Sequence, residues 1–104
     1  MGFKKQIDEY LVMYSANTFA PRIGMRSKGA YLGQAVFHPN GKVLPADLLR
    51  PDGSVDLMYH LEDFQNIIDV LRNEKPVFLM FSGVGPGFEN AIGTNYEVAG
   101  EGEA

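Results

Sequence analysis

Apolar and polar positions follow several distinct rhythms along this chain, and the clearest lies between His60 and Gly83. Leu61, Phe64, Ile67, Ile68 and Leu71 recur at helical spacing, with Glu62, Asp63, Gln65, Asn66, Asp69 and Arg72 on the remaining faces. Acids in the first turn and Arg72 in the last complement the helix dipole. The spacing predicts a helix over 61–73, stopped near Asn73 because Pro76 cannot continue it and biases Lys75 toward an extended backbone. Val77-Phe78-Leu79-Met80-Phe81 then reads as a strand buried on both faces.

Toward the N-terminus, Phe3, Ile7, Tyr10, Leu11 and Tyr14 also fall at helical spacing and predict a helix over 1–14. Lys4–Asp8 and Lys5–Glu9 supply (i, i+4) charge pairs on its outer side. Residues 15–29, which carry Pro21 and Gly24, show no clear period and read as a long surface loop. Ala30 to His38 alternates as a strand. His38-Pro39-Asn40-Gly41 and Arg50-Pro51-Asp52-Gly53 both match a type I turn closed by a left-handed glycine. Two such turns predict a three-strand antiparallel meander over 30–38, 42–49 and 54–59, with Pro45 demanding a bulge or break in the middle strand. Asn90 to Val98 reads as a last strand paired to 77–81, and 99–104 as a frayed acidic tail. The expected architecture is α+β, a single domain over 1–104. Its order is N-terminal helix, antiparallel meander, amphipathic helix and one or two further strands (helix-βββ-α-β(β)), in two layers.

Composition narrows the function classes. With no cysteine among 104 residues, disulfides, thiolate metal sites and cysteine nucleophiles are excluded, and a reducing cytoplasm is the expected setting. Asp8 and Glu9 break any secretory signal, and no apolar run approaches the ~20 residues that span a bilayer, so no membrane role is expected. The net charge of −4 hides two halves. Residues 1–50 hold seven basic groups against three acids, and 51–104 two against ten. An acidic whole without a basic stripe argues against nucleic-acid binding.

Three sets of residues are candidates for chemistry. Arg22, Arg26 and Lys28 cluster in the long loop, where guanidinium forks suit an anionic ligand. Gly83, Gly85 and Gly87 follow an apolar strand, as a phosphate-cradling turn would, but Pro86 interrupts and no lysine follows. His38 and His60 are the only histidines, too few without cysteine for a structural zinc, so neither metal nor cofactor is expected. No catalytic acid, base or nucleophile stands out.

Five methionines and twelve aromatics favour a homodimer, with Phe78, Met80, Tyr10 and Tyr14 as interface candidates. The first reading of function is therefore a small non-catalytic interaction module, homodimeric and binding a protein partner. The alternative is a small-molecule binding domain, or small enzyme, using the basic loop at 22–28 and the Gly-rich loop at 83–87.

Overall fold

The computed structural model describes residues 2–96, so the acidic tail lies outside the described residues. The chain runs through β1 (Phe3–Ile7), β2 (Glu9–Met13), β3 (Arg22–Ser27), β4 (Ala30–His38), β5 (Leu48–Leu49) and β6 (Val55–His60). A single 3-10 turn (Leu61–Asp63) leads into α1 (Phe64–Asn73), followed by β7 (Val77–Phe81) and β8 (Ala91–Gly93). The strands form a three-stranded sheet, β1-β7-β8, and a five-stranded sheet, β2-β3-β4-β6-β5. Their inner faces share one core. Ile23, Met25, Ala35, Phe37, Val55 and Leu57 come from the large sheet, Ile7, Val77, Leu79 and Phe81 from the small one, and Ile67 and Ile68 from α1.

The expected N-terminal helix is absent, and two strands stand in its place. Asp8 marks the point where the chain leaves one sheet for the other. Its N–H donates to the Arg26 carbonyl at 3.0 Å and its carboxylate accepts from the Lys28 amide at 2.7 Å. Before this corner the core-facing apolar residues are odd-numbered, Phe3 and Ile7, paired with buried Phe81 and Val77. After it they are even-numbered, Tyr10 and Val12, paired with buried Met25 and Ile23. That change of parity makes two period-2 strands resemble one period-3.6 stripe.

The loop expected over 15–29 contains β3. Ile23 and Met25 point inward and Arg22, Gly24 and Arg26 outward, and Lys28-Gly29, both at positive φ (51° and 82°), turn the chain into β4. This two-residue hairpin turn is the local signal in a segment read as a loop for its lack of a clear period.

The meander is also overturned. β4 pairs with β6 in parallel, Gly33 opposite Val55 and His38 opposite His60. The intervening chain crosses to the far edge, where only Leu48–Leu49 pair with β6. Parallel neighbours need such a crossover, and Pro45 keeps the segment before β5 out of a ladder. Gly33 allows the close approach, since a Cβ there would lie 2.2 Å from the Val55 carbonyl oxygen. The turn at 50–53 does close an antiparallel hairpin, with Gly53 (φ 90°) donating to the Arg50 carbonyl at 2.9 Å.

α1 lies where its periodicity placed it. Phe64 meets Phe37 edge-on at 4.8 Å and Tyr14 at 5.7 Å, and the Glu74 amide closes the last turn on the Val70 carbonyl. The entry is capped from afar, because Asn40 Oδ1 accepts the Glu62 N–H at 2.7 Å. β8 pairs antiparallel with β7, shorter than the strand expected over 90–98.

Candidate functional site

β2 is an edge strand of the large sheet, and all five of its residues are exposed. Tyr10 and Val12 extend its core-facing side, while Glu9, Leu11 and Met13 lie on its outer side. Leu11 retains 62% of its surface and Met13 41%, with Tyr14 (63%) and Phe19 (66%) just beyond. The strand pairs with β3 on one side only, and among the described residues no strand pairs with the other. Its outward-pointing amides and carbonyls therefore form a template for strand addition.

Beside this edge runs a groove of about 490 Å³, whose lining includes Leu11, Gly24, Arg26 and Tyr31. Arg26 Nη2 lies 3.0 Å from Glu9 Oε1 in an exposed ion pair. Arg22 stacks over the Phe19 ring at 5.5 Å, and its Nη1 is buried without a hydrogen-bond partner. Lys28 sits in the β3–β4 turn, where its backbone N–H serves Asp8. The three basic residues thus share one hairpin, each in a separate local arrangement.

The glycine-rich loop lies elsewhere and is folded on its own side chains. Asn90 Oδ1 accepts the Ser82 and Gly83 amides at 2.7 and 3.4 Å, and Asn90 Nδ2 donates to Asp47 Oδ2 and to the Gly83 carbonyl, each at 2.8 Å. Phe88 lies over Gly83, where a Cβ would stand 2.7 Å from its ring. The cavity that Gly85 lines contains Asp47, Met58 and Phe88 but none of the three basic residues. Arg26 and Gly85 thus line different cavities.

The histidines are occupied within the large sheet. His38 Nε2 lies 3.3 Å from Met58 Sδ, and His60 Nε2 is 2.6 Å from the Lys42 carbonyl, a contact that requires the proton on that nitrogen. Asp56, 3% exposed, is gripped by Arg50 through Nε at 3.2 Å and Nη2 at 2.5 Å. The Arg50 guanidinium is held above its usual pKa chiefly by that hydrogen bond. Hydrogen bonds from the Ser54 hydroxyl and amide hold Asp52 below the usual carboxylate range. Burial pushes the Tyr59 phenol up to about 12, and burial followed by the nearby Asp56 charge raises Tyr31.

Phe78 and Met80 occupy the outer face of the small sheet and are half-buried within the chain itself. The Lys4 ammonium lies 4.5 Å over the Phe78 ring, and the Met80 methyl fills the space where a Gly93 Cβ would stand. Tyr10 and Tyr14, by contrast, sit in and just after the open edge strand. Sequence reasoning missed Leu11, Val12 and Met13 as surface residues, because a helix would have turned part of that run inward. Comparison with family models, curated proteins and solved structures produced no match for the chain. No helix among the described residues is long and apolar enough to cross a membrane.

Proposed function

We propose that this protein is a small non-catalytic interaction module of the cytoplasm that docks a protein strand along β2. The observation that carries the reading is the strand itself: Tyr10-Leu11-Val12-Met13 is apolar, exposed and, among the described residues, open along one backbone edge. Long apolar edges are normally shortened, charged or covered, since they recruit other strands. Strand addition supplies affinity through main-chain hydrogen bonds, and alternate side-chain positions supply specificity. The adjoining groove, lined by Leu11, Gly24 and Tyr31, gives an added strand's side chains a place to settle.

A photo-crosslinking amino acid at position 11, compared with one at Val43, tests this in the cell that makes the protein. Val43 is 95% exposed but lies outside any strand. The expected result is protein adducts concentrated at position 11. Equal yields at the two positions would remove β2 as the docking element.

A further inference from the structure

We propose that the occupant of the β2 edge is a second copy of this chain, the two β2 strands pairing antiparallel about a two-fold axis at Leu11. The inference rests on β2 being the docking element and adds the identity and register of what docks there.

Geometry restricts the register severely. A two-fold axis that pairs two edge strands antiparallel stands perpendicular to the sheet, so it carries outer face onto outer face. Residues opposite one another then share parity, because side chains alternate between faces. The axis must therefore pass beside a residue, not between two. Centred on Tyr10, the pairing would leave Met13 opposite Ile7, which belongs to β1 and pairs with Val77 in the small sheet. Centred on Val12, it would leave Glu9 opposite residue 15, beyond the strand. Centred on Leu11, the whole of Glu9–Met13 is paired: Glu9 with Met13, Tyr10 with Val12, and Leu11 with its own copy.

The side chains agree with this register. Tyr10 and Val12 meet on the core-facing side, an aromatic against a β-branched residue, which is a favourable cross-strand pair. On the outer side the two Leu11 side chains meet at the axis, and neither faces a charge. Each Glu9 lies beside Met13 of the second copy, whose other neighbour on β3 is Arg22. Glu9 is then flanked by its own Arg26 and, two strands or roughly 10 Å away, by Arg22 of the second copy. No like charges are brought opposite one another. Five strands from each copy make one ten-stranded sheet, at the upper end of what open twisted sheets sustain.

The chain has no cysteine, so introduced thiols report pairing without background. Under mild oxidation of the full-length chain, Leu11→Cys is expected to form a disulfide dimer at least about tenfold faster than a Val43→Cys control, since only a facing pair meets disulfide geometry. Glu9→Cys and Met13→Cys should cross-link when mixed and not when kept apart. Sedimentation of the cysteine-free protein should show a concentration-dependent dimer that Leu11→Lys abolishes while the thermal midpoint of the dilute chain stays unchanged. A wild-type chain that remains monomeric to about 100 µM would overturn the proposal, and so would a dimer cross-linking at other positions. If position 11 still captured other proteins in the cell, the docking reading would stand and only the second copy would fall.

Discussion

β2 and β7 are both five-residue strands, EYLVM and VFLMF, yet one is exposed throughout and the other supplies three buried residues. The difference is position. β7 lies between β1 and β8, and its inner face meets the large sheet. Among the described residues β2 has one neighbour, and its core-facing Tyr10 and Val12 keep 38% and 40% of their surface. Apolar composition thus sets how much a strand gains from cover, and topology decides whether the chain itself supplies that cover. Where it does not, the uncovered strand is the place to look for a partner.

The most severe way to test the contrast is at matched leucines. Leu79, fully buried in β7, should lose about 2–5 kcal/mol on Leu79→Ala through lost transfer energy and a cavity. Leu11→Ala in β2 should change the stability of the dilute chain by less than about 0.5 kcal/mol. Urea unfolding of both variants at low protein concentration makes the comparison. A large loss at Leu11 would place β2 in the folding core instead of on a docking surface.

The tyrosines sharpen the contrast next. Burial holds the Tyr59 phenol at about 12, against about 10 in an unfolded chain. Below pH 10 both states keep the proton and the stabilisation is fully present. As pH rises from 10 to 12 the unfolded state ionises first, so stability falls, by up to about 2–3 kcal/mol. Tyr59→Phe should remove that part of the alkaline decline, measured as the difference in unfolding free energy between the two proteins across the window.

The smallest effect is expected at the rim of the docking strand. The Arg26–Glu9 pair is 54% exposed on both side chains, so Glu9→Gln should cost no more than about 0.5 kcal/mol in chemical denaturation. A much larger cost would mean that the pair holds β2 onto β3.

Local signals were legible wherever a short stretch decides its own conformation. The stripe at 61–73, the strands expected at 30–38 and 54–59 and the turn at 50–53 all appear in the structure, while the run at 77–81, expected to be buried on both faces, is a strand buried on one. Pro45 was rightly an obstacle to a middle strand. At the candidate site, Tyr10 and Tyr14 were singled out, but on a helix that does not exist, and Arg22, Arg26 and Lys28 were placed in a loop that is a hairpin. The error at the N-terminus has a definite origin in Asp8. No local rule reveals that a strand will change sheets there, and the resulting parity shift imitates a helix.

By itself, then, the sequence determined which segments are apolar, where α1 starts and stops, and where glycine and proline force turns, since these depend on backbone sterics and nearest neighbours. Only the tertiary structure decided that β4 and β6 run parallel, that the small sheet faces the large one, and that β2 is left at an edge. Those outcomes depend on strand pairings between residues far apart in the chain. The loop-closure cost of each is offset only when the whole core assembles.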